Sequence, residues 1–205
     1  MKGTTIRRFT GIKKPRVSIH QLILFTVAAG FLFILLDMKN TKEVNTVGLL
    51  DTIAKGESNG NYNAYYGNVR NTDPEFTAMT VGEVLAWQSD FVKKGSPSSA
   101  VGKYQFIRPT LHSLVDELKI DQTARFDENL QDTLAVALLK RRGIDDYAKG
   151  NISREKFANN LSKEWAALPK VIGDKPNESY YAGDGQNKER VTVEEVYKGI
   201  ATLAE

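Results

Sequence analysis

A mainly α-helical domain carried behind a single apolar helix is the fold class this sequence predicts, and three observations predict it. Hydrophobic residues recur at helical spacing in several segments, most of whose starts carry recognisable capping residues. An uncharged apolar run of 19 residues follows a basic tail. Residues 59–76 are rich in Asn, Gly and Tyr and show no helical period, so a small hairpin or ordered loop is expected there, giving the domain a modest α+β character.

The tail, residues 1–17, carries Lys2, Arg7, Arg8, Lys13, Lys14 and Arg16 and no acid. Residues 18–36 approach the ~20 needed to cross ~30 Å of hydrocarbon as a helix. Dense positive charge on their N-terminal side predicts a cytoplasmic N-terminus, with everything from Asp37 onward across an inner or virion membrane. In a Gram-negative host that side is the periplasm. Val27-Ala28-Ala29 resembles a signal-peptide cleavage site, but apolar residues continue through Leu36, which favours an uncleaved anchor. The small residues Ala28, Ala29 and Gly30 would also suit a helix that packs closely on a partner or leaves the bilayer. Residues 37–46 are polar and aperiodic and read as a stalk. The expected order is therefore tail, membrane helix (18–36, with the lipid bilayer as partner), stalk, and a folded domain over 47–205.

Within that domain, Val47, Leu50 and Ile53 precede Glu57 by ten, seven and four positions, the spacing of one helix face. Thr80 and Glu83 form a capping box before Val84, Leu85, Gln88 and Phe91, ending at Gly95. Pro109 opens a helix through Leu111, Leu114, Val115 and Leu118. Asp127 caps one running through Leu130, Leu134 and Leu138 to Gly143. Ser153 starts another, with Phe157, Leu161, Trp165 and Leu168 as its stripe and Pro169 as its stop. Thr192 and Glu195 form a second capping box ahead of Val196, Ile200 and Leu203. Residues 173–187 form a second long loop, a length that in a small domain usually signals function or disorder.

Composition excludes several functions. The chain's net charge of +3 belongs to the tail, since residues 17–205 hold 22 basic and 25 acidic side chains. A slightly acidic body is a poor surface for phosphate, so nucleic acid is not an expected partner. There is no cysteine, and the two histidines, His20 and His112, stand far apart, which leaves no framework for a disulfide or a zinc site. No G-x-S-x-G surrounds a candidate serine, and His112 reads as an ordinary helix residue. No metal or organic cofactor is implied.

Glu57 concentrates the chemical interest. On the apolar face it is desolvated, and in the last helical turn it meets the negative end of the helix dipole. Both effects keep a carboxyl protonated near neutral pH and suit it to be a proton donor. The bland alternative is a glutamate at a frayed helix end facing water. Around it lie Ser58-Asn59-Gly60 with Tyr62, Tyr65 and Tyr66, and later Val101-Gly102-Lys103-Tyr104-Gln105-Phe106. Aromatic faces stack on sugar rings, amides pair with hydroxyl and N-acetyl groups, and glycines admit a polymer close to the backbone, so the set suits a carbohydrate groove. Taken singly, Tyr104 and Phe106 are as well read as core.

Glu57-Ser58-Asn59-Gly60, Met79-Thr80-Val81-Gly82-Glu83-Val84-Leu85, Ser99-Ala100-Val101-Gly102-Lys103-Tyr104-Gln105-Phe106 and Trp165-Ala166-Ala167-Leu168-Pro169 occur in that order. Together, over about residues 47–186, they resemble the phage lambda lysozyme family. The resemblance implies a lysozyme-like domain that cleaves between N-acetylmuramic acid and N-acetylglucosamine as a lytic transglycosylase, acting on the peptidoglycan glycan strand. It implies Glu57 as catalytic acid, with Ser58, Tyr66, Tyr104, Gln105, Tyr181 and Gln186 as substrate-binding residues. The family's Gly-Tyr-Gly-Gln loop corresponds to Gly183-Asp184-Gly185-Gln186, with Asp184 replacing the aromatic. Tyr181 supplies the missing ring, or Asp184 adds a second carboxylate, or Asp184 is an ordinary loop residue; the last is the plainest reading. No Asp or Glu lies between Glu57 and Asp73, and Tyr66 stands where T4-type phage lysozymes place an aspartate. A hydrolytic muramidase or a non-catalytic wall-binding module are the alternatives, and host lysis or wall penetration at entry the two uses.

Overall fold

In the computed structural model the described residues are 44–185 and 187–204. The expected tail and membrane helix lie outside them, as do all but the last few residues of the stalk. Among the described residues no helix is long and apolar enough to cross a membrane.

Among them are seven α-helices: α1 Val47–Glu57, α2 Val81–Lys93, α3 Arg108–Leu118, α4 Glu128–Arg141, α5 Ile144–Ala148, α6 Arg154–Leu161 and α7 Val193–Ala201. Short 3₁₀ turns lie at Phe76–Ala78 and Thr202–Ala204. The start signals act as read. Both capping boxes close, with Thr80 accepting from the Glu83 N–H and Thr192 from the Glu195 N–H. Asp127 caps α4 by accepting from the Leu130 N–H at 2.8 Å, and Ser153 caps α6.

Two expectations are refined and one changes. Residues 59–76 form an ordered loop held by isolated bridges, Tyr65 with Asn68 and with Val101, and no strand forms among the described residues. The domain is mainly helical, its β component reduced to such bridges. Gly143 does end α4, at φ 97°, but α5 restarts at once because Ile144 has a buried site to fill. The helix expected to reach Leu168 stops at Leu161. There Ser162 Oγ donates back to the Asn159 carbonyl at 2.9 Å, and the Lys163 and Glu164 N–H groups reach carbonyls three residues back, tightening the last turn. Trp165 and Leu168 are still buried, but from a turn, not from the helix face the spacing suggested.

The core runs from Leu49, Leu50 and Ile53 of α1 through Leu111, Leu114, Leu134, Leu138 and Phe157 to Val196 and Ile200. α1 packs along α7, and Lys55 bridges to Glu195 at 2.5 Å across the pair. An aromatic nest of Tyr65, Phe76, Trp87 and Phe91, with centroids 4.6–6.4 Å apart, joins the 59–76 loop to α2. Glu57 sits at the C-terminal end of α1.

Candidate active site

Glu57 is the last residue of α1 and is partly buried at the bottom of a cleft of about 1060 Å³. Its Oε1 accepts a hydrogen bond from the Ala167 N–H at 3.0 Å. Burial pushes its pKa from 4.5 up to about 7, against the opposing pull of the Ala167 N–H and of the nearby Arg190 charge. The helix-face argument therefore places the carboxyl correctly, and desolvation outweighs both stabilising partners.

Ala167 reaches the carboxylate because α6 ends early. Trp165, 2% exposed, and Leu168 anchor the turn in the core, Ser179 Oγ holds the Ala166 carbonyl at 2.7 Å, and the Arg190 N–H donates to the Ala167 carbonyl at 2.9 Å. Gly56 sits against this turn, where a Cβ would lie 2.8 Å from the Ala167 Cβ. Residues Trp165 to Leu168, distinctive as sequence, thus act through a backbone N–H that no side-chain reading could locate.

The facing wall comes from two stitched loops. The Tyr66 N–H donates to the Ala100 carbonyl at 2.9 Å and the Gly102 N–H to the Ala64 carbonyl at 2.7 Å. Gly102 adopts φ +80° with Gln131 Oε1 2.4 Å from where a Cβ would stand, so a side chain there has neither conformation nor room. Gln131 Oε1 accepts from the Lys103 N–H at 2.9 Å, while its Nε2 donates to the Tyr62 and Phe126 carbonyls.

The residues proposed for substrate binding divide into two groups. Tyr66, Gln105 and Tyr181 line the cleft with Glu57. Gln105 has φ 51° and donates to the Gly102 carbonyl at 2.9 Å, which holds it at the wall. Tyr181 is 40% exposed and its hydroxyl donates to the Lys163 carbonyl at 2.8 Å. Ser58 and Tyr104 stand behind the surface. Ser58 is fully buried and its hydroxyl donates to the Lys103 carbonyl at 2.7 Å, tying the residue after Glu57 to the opposite loop. Tyr104 borders the cleft but is 1% exposed, and its hydroxyl donates to Asp132 Oδ1 at 2.7 Å. Burial, then Asp132, push its phenol well above the usual tyrosine range, so it stays a neutral donor in that network. Gln186 lies outside the described residues.

Among the described residues lining the cleft, the other carboxylate is Glu164, which the sequence reading did not single out. Arg142 grips it at 2.6–2.7 Å from the end of α4. Asp184 is exposed and accepts from the Asn187 backbone and side chain at 2.8 and 2.6 Å, the geometry of an ordinary polar loop. His112 lies on α3 beside Asp116 at 3.0 Å, a surface pair.

Comparison with known proteins adds one positive result. No curated protein and no solved structure matches the chain. A family model described as Endolysin matches residues 47–198, which reaches into the last helix that the sequence resemblance left outside. An acid whose pKa is raised to about 7 in a large cleft is consistent with that match, and the chain belongs to the endolysin family, the phage lytic enzymes that degrade bacterial cell-wall peptidoglycan.

Proposed function

We propose that this endolysin is a lytic transglycosylase of lysozyme-like type, cleaving the bond between N-acetylmuramic acid and N-acetylglucosamine with Glu57 as its one acid–base group. The observation that carries the reading is the state of that carboxyl. Its pKa is raised to about 7, and it sits at the base of a cleft whose other described carboxylate is tied to an arginine. Glu57 protonates the glycosidic oxygen as the bond breaks. It then takes the proton of the muramic 6-hydroxyl as that oxygen closes on the anomeric carbon. An internal nucleophile has a high effective molarity, so no second carboxylate is required to position water. Two-carboxylate hydrolysis needs a free partner ~5–9.5 Å away. Glu164 fills that role poorly while Arg142 neutralises it, and a hydrolytic muramidase is therefore the second reading.

The domain is further proposed to work on the wall side of the host inner membrane. Residues 18–36 act as anchor, 37–46 as stalk and 47–205 as the catalytic domain. Mass spectrometry of digested peptidoglycan tests the chemistry. The expected product ends in anhydromuramic acid, one water lighter than a hydrolysis product. Reducing muramic ends alone would discard the transglycosylase. Carbonate extraction of membranes from expressing cells tests the anchor, with retention in the pellet expected and release into the soluble fraction against it.

A further inference from the structure

The cleft carries a charge pattern opposite to that of the body around it. Residues 17–205 are net acidic, yet five basic side chains, Lys55, Arg142, Lys163, Lys188 and Arg190, line the cleft against Glu57 and Glu164. Two of the five are engaged, Lys55 with Glu195 and Arg142 with Glu164. Among the described residues, Lys163, Lys188 and Arg190 make no ion pair within 4 Å, although Arg190 donates to the Gly56 carbonyl at 3.4 Å and its charge acts on Glu57. All three belong to the stretch that follows α6, the same wall whose Ala167 N–H holds Glu57. The cleft is also lined by Val92, Pro97, Ile107 and Pro109, and Arg108, between the last two, donates from Nε to the Leu85 carbonyl at 3.2 Å. N-acetylglucosamine and the sugar backbone are neutral and give no reason for three cations on one stretch of a glycan groove. The muramic residue does give one, because its lactyl arm carries a short peptide bearing several free carboxylates.

We infer that the Lys163–Lys188–Arg190 wall is a subsite for the carboxylates of the stem peptide, so that this enzyme prefers glycan carrying its peptides over bare glycan. The inference rests on the reading of the cleft as a peptidoglycan groove. Clefts lined by one sign of charge concentrate oppositely charged ligand, and the attraction weakens with salt over a screening length of about 8 Å at physiological ionic strength. A charged wall on one side also gives the strand a direction, setting the peptide-bearing sugar on the cationic side of Glu57.

The test uses the full chain in a non-ionic detergent with two substrates: glycan strands bearing stem peptides, and the same strands stripped by an amidase. Lys163 and Lys188 are replaced together by Gln; the Lys163 backbone, which Tyr181 and Arg142 use, is untouched. The ratio of kcat/KM for peptide-bearing over stripped strands is expected to fall about two- to thirtyfold, the range for two exposed charge pairs. The fall should lie in KM, and Lys163→Arg with Lys188→Arg should restore it. For the unmodified protein, added salt should raise KM more steeply on peptide-bearing strands than on stripped ones, which keep only the lactyl carboxylate. An unchanged ratio, or an equal loss on both substrates, overturns the subsite while leaving the glycosidase reading intact. Failure of the unmodified protein to cleave either strand would instead remove the glycosidase reading, and the subsite with it.

Discussion

Replacing Glu57 with Gln should stabilise the protein at alkaline pH and leave it nearly unchanged in acid. The unfolded chain releases this proton near 4.5, whereas the folded chain holds it to about 7. Between those values the native state binds more protons than the unfolded one, so stability falls as pH rises. The loss begins near pH 4.5 and is complete above about pH 7. At about 1.4 kcal/mol per factor of ten in proton affinity, the full cost of holding a charged Glu57 in its site is about 3 kcal/mol. Glutamine keeps the size and an oxygen for the Ala167 N–H but never charges, so it escapes that cost. Thermal melts from pH 4 to pH 9 should therefore show a variant-minus-native difference that widens with pH. For a domain of this size the widening amounts to about 6–12 °C. Near-ultraviolet circular dichroism is a suitable probe, because both tryptophans, Trp87 and Trp165, lie in the helical domain and Trp165 is two residues before Ala167, whose N–H touches Glu57. Any constant offset from an imperfectly bonded amide cancels in the comparison across pH. A difference that stays flat from pH 4 to pH 9 would refute the claim that this carboxyl is desolvated.

The same variant should lose about 10²–10⁴-fold in cleavage rate, the usual worth of a general acid, read as release of soluble fragments from purified peptidoglycan. In the native enzyme kcat/KM should decline as pH rises through about 7, as Glu57 loses its proton; a rate still climbing at pH 9 would contradict the assignment. Gly56→Ala presses a methyl against Ala167 and should lengthen the bond from its N–H to Glu57, moving the alkaline limb of the pH profile upward, since that bond holds the pKa down. Gly102→Ala combines a left-handed φ with a clash on Gln131 and should lower stability by about 2–4 kcal/mol in a urea melt.

Helix starts were legible because their causes are local. Thr80 with Glu83, Asp127, Ser153 and Thr192 with Glu195 satisfy backbone N–H groups within four residues, so sequence spacing contains the whole interaction. Helix ends were less so. Trp165 and Leu168 continue the apolar spacing of α6, and spacing alone cannot distinguish a buried helix face from a buried turn that follows it. Glu57 was readable for the same reason as the caps, since its placement follows from the face and the last turn of its own helix. Its partners were not. Ala167 stands 110 residues away and contributes a backbone group, and Arg142 and Glu164 meet only because α4 and the turn after α6 converge. Ser58 and Tyr104 were only half legible. Both lie in motifs rich in groove-like residue types, yet each spends its hydroxyl inside the protein, Ser58 on the Lys103 carbonyl and Tyr104 on Asp132.

Those two inward-facing hydroxyls bear on the chemistry all the same. Ser58 fixes the residue after the acid to the loop that carries Gln105, and Tyr104 anchors that loop to α4 through Asp132. Gln131, also on α4, holds the Lys103 N–H from beneath, so one helix braces the wall facing Glu57. The acid and the wall opposite it are consequently a single hydrogen-bonded unit. A substitution that frees the 98–106 loop should therefore cost activity and also admit water to Glu57, lowering its pKa toward the ordinary carboxylate range. Gly102→Ala perturbs this brace through Gln131, so its stability loss should come with an alkaline limb displaced to lower pH, the direction opposite to Gly56→Ala. Two glycine variants on the two sides of one carboxyl, moving one titration in opposite senses, separate the desolvation that raises its pKa from the hydrogen bond that lowers it.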